Sequence, residues 1–273
     1  SAFPGLAASL EHGGIGFDYR LSMGIPDLWI KILKEKNDEE WDLAHLFHEL
    51  TSHRPEERTI SYAESHDQAL VGDKTLIFRL IDDAMYEHMQ IDDSHLVVER
   101  GIALHKMIRL LTASTNSGGY LNFMGNEFGH PEWIDFPRKD NDWSYSYARR
   151  QWKLVDNPQL KYRWLNNFDT EMISIIRHCN DPSYHWVHVD NNRKIVSYFR
   201  DNHLFVFNFS PDTSYTDHQI PTLSGSYRLV ISSDSSQFGG QDRVTSDVHY
   251  EANDSILPLY LPSRVALVFR KTS

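Results

Sequence analysis

At 273 residues the chain can build one large domain or two modest ones. It carries 38 Asp+Glu against 27 Lys+Arg, a net charge of −11, so its surface repels phosphate backbones and anionic headgroups and excludes nucleic acid and membrane as expected partners. No apolar run approaches the roughly 20 residues that span a bilayer, and the 12% aromatic content suits neutral polar ligands whose C–H faces pack on rings.

Up to about residue 180 helical and strand-like patterns alternate. Ile25-Pro26-Asp27 opens a helix, since Pro in the first turn loses no bond and Leu28, Ile32 and Leu33 share a face. A second helix is expected over Glu40 to Leu50, with Trp41, Ala44, Phe47 and His48 at helical spacing. The short run Thr59-Ile60-Ser61-Tyr62 reads as a strand and leads into Ala63-Glu64-Ser65-His66-Asp67-Gln68. A third helix starts near Asp67 and carries Leu70, Leu76, Ile77 and Leu80. A fourth covers Val97 to Leu111, and a further strand-like run ends in the turn Gly119 to Trp133. The last helix of this half is expected from Pro158 to Ile176.

After Pro182 the pattern changes to period two with turn punctuation. Lys194 to Arg200 and Leu204 to Phe209 flank Asp201-Asn202-His203 as a hairpin. Tyr227 to Ile231, Ile256 to Leu261 and Val265 to Arg270 add three strands, giving an antiparallel sandwich. The expected division is 1–180 and 181–273, packed firmly because no low-complexity linker separates the halves.

Several single features carry little chemistry. Cys179 excludes an internal disulfide and suits a reducing compartment as a bystander thiol. Arg109 and the pair Arg149-Arg150 read as ordinary solvated positions, and His185 and His188 are too isolated for zinc. Glu127-Phe128-Gly129-His130 spells a Glu-x-x-His step, but Gly125 and Gly129 break the helix that metal ligation would need. No metal and no cofactor is expected. Asn208-Phe209-Ser210 and Asn253-Asp254-Ser255 match the glycosylation sequon, the first inside a strand-like run. Nothing at the start reads as a signal or transit segment.

Carboxylates, amides and imidazoles thus crowd the carboxyl ends of two strands with helix between, the way a parallel barrel or α/β sheet places its site. Gly13 to Leu21, Glu64 to Lys74, Gly101 to Leu110, Tyr120 to Arg138, Ser144 to Gln151, Leu165 to Asp169 and Leu261 to Phe269 together resemble the glucan branching enzymes of the α-amylase superfamily. The resemblance implies the C-terminal part of a (β/α)8 barrel, strands six to eight at Phe17–Leu21, Thr59–Ser65 and Tyr120–Met124, followed by an antiparallel β domain. It implies an α-1,4-glucan substrate, a retaining transfer to a 6-hydroxyl, and cytoplasm as the default compartment, or a plastid in a starch-making organism. Asp67 is then the acid that stabilises the transition state by binding sugar hydroxyls, with His66 donating beside it. Glu64 and Gln68 line the substrate cleft or support it by hydrogen bonds, Asn126, Glu127 and His130 hold the loop that borders it, and Trp133, Trp143, Tyr145 and Tyr147 offer stacking rings or pack between barrel and β domain, the packing role suiting Trp133 best.

Retaining transfer needs a nucleophilic carboxylate and an acid about 5–5.5 Å apart. The resemblance puts both ahead of Ser1-Ala2-Phe3-Pro4-Gly5, outside this chain, so the chain alone is expected to be inactive. It also marks Arg79 as a departure, since many members hold a bulky aromatic there. Read from residues alone, Asp67 suits an N-cap equally well. An amylase-type hydrolase and a non-catalytic glucan-binding remnant are the alternative functions.

Overall fold

The computed structural model describes residues 5–54, 57–70, 74–116, 118–131 and 134–273. Expectations that fall on Ser1–Pro4, Val71–Asp73, Glu132 and Trp133 lie outside the described residues.

Strands β1 (Arg20–Leu21), β2 (Thr59–Ser61) and β3 (Gly119–Tyr120) form a parallel sheet in that order. Parallel neighbours need long crossovers, and helices supply them. Between β1 and β2 lie α1 (Gly24–Glu35) and α2 (Leu43–Thr51). Trp29 of α1 is fully buried, meets Trp41 edge-on at 6.0 Å between centroids, and donates its Nε1–H to Thr112 Oγ1 at 2.9 Å. A buried indole thus keeps its one donor satisfied. Asp42 caps α2 through the His45 amide, 3.0 Å.

Between β2 and β3 the expected third helix is two, α3 (His66–Leu70) and α4 (Leu76–Ile81). Thr75, with extended backbone, starts the second by accepting the Phe78 amide on Oγ1 at 3.3 Å. The short α5 (Ala84–Glu87) follows, then α6 (Leu96–Ser114), longer than the apolar repeat alone implied. After β3 come α7 (Lys153–Asp156) and α8 (Tyr162–Ile176). The last helix starts later than Pro158 because Leu160 is held in an antiparallel bridge to Gln90.

The remaining chain is antiparallel: β4 (His185–Asp190), β5 (Ile195–Arg200), β6 (His203–Asn208), β7 (Tyr215–Pro221), β8 (Gly225–Ser232), β9 (His249–Ala252), β10 (Ile256–Leu261) and β11 (Val265–Lys271). Six strands run in the order β4-β5-β6-β11-β8-β9, and β10 pairs with β7 as a separate ribbon. The expected hairpin is β5–β6, closed by Asp201 and Asn202 at φ 46° and 61°. Both central residues at positive φ match the twist of the flanking strands. Strands β4, β7 and β9 escaped the period-two pattern.

Every residue of β5 and β6 is buried, unlike a half-wet antiparallel strand. The cause is a sheet covered twice. Val196, Tyr198, Phe205, Phe207 and Val268 join the core formed with the helices, whereas Ile195, Leu204, Val206 and Leu267 pack against Ile220, Leu257 and Leu259 of the β7–β10 ribbon. Polar pins cross the first interface. Tyr198 Oη and Ser114 Oγ lie 2.5 Å apart, Arg200 Nη1 donates to Ser114 O at 2.7 Å, and Lys194 Nζ donates to Trp41 O at 2.8 Å.

Candidate functional site

The carboxyl end of β2 runs straight into α3, and Ser65 makes the junction. Its Oγ accepts the Asp67 amide at 3.2 Å, while Gln68 Oε1 accepts the Ser65 amide at 2.8 Å. Ser-x-x-Gln is a capping box, two orphan donors satisfied reciprocally. The cap of α3 is therefore Ser65, not Asp67, and Gln68 is committed to closing that box.

Asp67 keeps a free-standing carboxylate. Its Oδ1 lies 3.2 Å from His66 Nε2, and both side chains are 57% exposed. The His66 ring in turn stands 6.1 Å from Phe123, which follows β3. An acid and an imidazole are thus presented side by side above adjacent parallel strands, able to accept from and donate to a hydroxylated ligand.

Glu64 points the other way. Its side chain is 4% exposed and a carboxyl oxygen accepts the Leu76 amide at the start of α4. Burial pushes this carboxyl up to about 7, against the pull of the Leu76 amide and of Arg109, Arg150 and Arg79. Arg79, half-buried here, is itself lowered by burial. Glu64 ties β2 to α4 and supports the site from below.

The loop after β3 is held by its own polar groups. Glu127 Oε2 accepts the Gly125 amide at 2.7 Å, His130 N donates to Gly125 O at 2.9 Å, and Asn126 Nδ2 reaches Glu64 O at 3.4 Å. Gly125 sits at φ 103°, a conformation that favours glycine, and an added Cβ there would lie 2.9 Å from the Arg150 side chain. His130 is buried, with Nδ1 3.0 Å from Arg150 Nη1. Asn126, Glu127 and His130 therefore shape the loop. Trp143, Tyr145 and Tyr147 stand 66%, 62% and 48% exposed on the segment beyond it.

Two arginines read as solvated are structural. Arg109 on α6 is 3% exposed, paired with Asp169 of α8, bonded to Asn122 Oδ1 at 3.1 Å, and beside the Tyr120 ring. Burial lifts Tyr120 to about 12 and raises Asp169, with Arg109 opposing both shifts. Arg150 lies over Phe123, its guanidinium 5.4 Å from the centroid. The missed signal for Arg109 was a cation within the apolar run Met107 to Leu111, where burial demands a partner. Cys179 is buried and its thiol pushed up to about 11 by burial, which keeps it inert. Asn208 spends its amide on Thr213 O, Leu261 O and Pro262 O. Among the described residues no group of three or more His, Cys, Asp or Glu could hold a metal ion, and no helix is long and apolar enough to cross a membrane.

Residues 186–272 match the family described as alpha amylase, C-terminal all-beta domain. The alpha-amylase from H. orenii, a solved structure, overlays 94% of this chain and 49% of its own with a TM-score of 0.53 at 12% identity, a likeness of fold. The fold is of the α-amylase type. Over 99% of its length the chain is 48% identical to the 1,4-alpha-glucan-branching enzyme of Yarrowia lipolytica, and over 98% it is 48% identical to that of Rhizophagus irregularis. By sequence it is similar to 1,4-alpha-glucan-branching enzymes, and it spans 41% of the length of those two relatives.

Proposed function

We propose that the protein of which this sequence forms part cleaves an α-1,4-glucan chain and transfers it to a 6-hydroxyl, making α-1,6 branches by retaining double displacement. Strands β1 to β3 are read as strands six to eight of a (β/α)8 barrel, residues 1–180 as its C-terminal portion and 181–273 as the β domain. Their parallel order and helical crossovers support that reading. The nucleophilic Asp and the acid/base Glu are supplied from outside this chain, in a cytoplasmic or plastid protein.

One observation carries the role given to Asp67. Its carboxylate, beside His66 at a strand end, is spared from capping because Ser65 and Gln68 do that work. A free carboxylate accepts from ring hydroxyls through charge-assisted bonds about twice as strong as neutral ones, and bonds that tighten as the sugar ring flattens lower the barrier. His66 adds a donor on the same side. Trp143, Tyr145 and Tyr147 supply stacking faces for the glucan.

Asp67→Asn in the complete protein tests this. It should leave the melting temperature unchanged and lower branching turnover by several orders of magnitude, because an amide loses the charge. Near-normal branching by that variant would remove Asp67 from the chemistry.

A further inference from the structure

Phe123 stands at the strand-end site without being one of its polar groups. Its ring is half-buried and lies 6.1 Å from the His66 ring between centroids, with 53° between the planes. That spacing is within the range of favourable aromatic pairs. The Arg150 guanidinium lies 5.4 Å from the Phe123 centroid, a cation–π contact.

Both neighbours of His66 in this chain of contacts are pinned. The Leu121 amide donates to Ser61 O of β2, and the Asn126 amide donates to Phe123 O, each at 3.0 Å. Arg150 Nη1 lies 3.0 Å from Nδ1 of the buried His130. Gly125 leaves room for the Arg150 stem, since an added Cβ would lie 2.9 Å from Arg150 Cδ. A line of contacts thus runs from His130 through Arg150 and Phe123 to His66 and Asp67. Its first members are anchored, and its last are exposed.

An exposed imidazole has a broad χ2 torsion, so packing must set the plane of its ring. Resting on the role proposed above for His66 and Asp67, we infer that Phe123 is a positioning residue of the transfer reaction, holding the His66 ring in the plane that keeps it against Asp67. Arg150 in turn holds Phe123. The 3.2 Å approach of Nε2 to Asp67 Oδ1 then selects which nitrogen faces the carboxylate. Rigid support of this kind keeps a polar pair at its working geometry. A rocking imidazole still admits the glucan, but spends less time where the transition state needs it. Turnover therefore falls while KM holds.

Branching kinetics on amylose, measured in the complete protein, test the assignment. Phe123→Leu should lower kcat roughly 10- to 100-fold, the scale on which a small misplacement acts, with KM nearly unchanged. Phe123→Tyr keeps the ring and should restore most of that turnover. Arg150→Lys keeps the charge without the flat guanidinium and should fall between the two. In a His66→Ala background the Phe123→Leu loss should vanish, because the ring has nothing left to hold. Where Phe123→Leu lowers the melting temperature, Phe123→Met fills more of the volume and carries the same kcat test. Parent-like kcat in these variants, a rise in KM alone, or losses that add in full to those of His66→Ala would overturn the positioning role by itself. Parent-like branching by His66→Ala would remove the His66–Asp67 pair from the chemistry and the positioning role with it, so the two failures are read apart.

Discussion

Asp38 and Arg264 lie 226 residues apart in sequence, yet the Arg264 Nη2 donates to Asp38 Oδ2 at 2.9 Å. The same carboxylate receives Arg100 through Nε at 2.9 Å and through Nη2. One acid, itself 2% exposed, therefore fastens the start of β11 to α6 and to the turn before α2. Asp38→Asn should cost about 2–4 kcal/mol, since it leaves two guanidinium groups facing an amide. Thermal unfolding checks this, and a melting temperature within a degree of the parent's would show that the junction does not depend on the carboxylate.

Glu64 predicts a pH dependence with a definite sign. Burial raises its carboxyl from 4.5 to about 7, so the folded state holds this proton more tightly than the unfolded chain. The resulting stabilisation is complete below about pH 4.5 and is lost as pH rises through 7. Glu64→Gln keeps an oxygen for the Leu76 amide and has no proton to lose. The variant should match the parent near pH 4 and exceed it by roughly 3 kcal/mol above pH 8. Parallel melting-temperature profiles between pH 5 and 9 would contradict the burial of this carboxyl.

Gly239 ends a 3-10 turn at φ 76°, and an added Cβ would lie 2.2 Å from Trp164 Cε3. Gly239→Ala combines left-handed strain with a clash against a ring that cannot flex, about 2–4 kcal/mol together. Calorimetry should register a melting temperature lower by several degrees.

Incubated with amylose, the purified 273-residue chain alone should form no α-1,6 branches, because the proposed reaction draws its nucleophile and its acid from outside. Branch formation by this chain, after removal of contaminating enzyme, would place both carboxylates within it.

The sequence by itself determined the local elements and the family resemblance. Pro26, the apolar spacing of α6, and Asp201-Asn202 each specify their helix or hairpin through short-range sterics, and the chain's motifs carried the resemblance that relatives at 48% identity bear out. It also marked residues 64–68 and 126–130 as the loaded turns. Only tertiary structure decided how those residues divide the work. Ser65 and Gln68 take the cap and free Asp67, whereas Glu64 turns inward to Leu76, and periodicity cannot show which of three neighbouring acids and amides a helix start will consume. Burial of Arg109 beside Asp169, double covering of β5 and β6, and the gathering of His66, Phe123 and Arg150 were equally illegible. Each depends on partners from distant segments, and the free energy of a charge or a polar ring is set by what surrounds it in space.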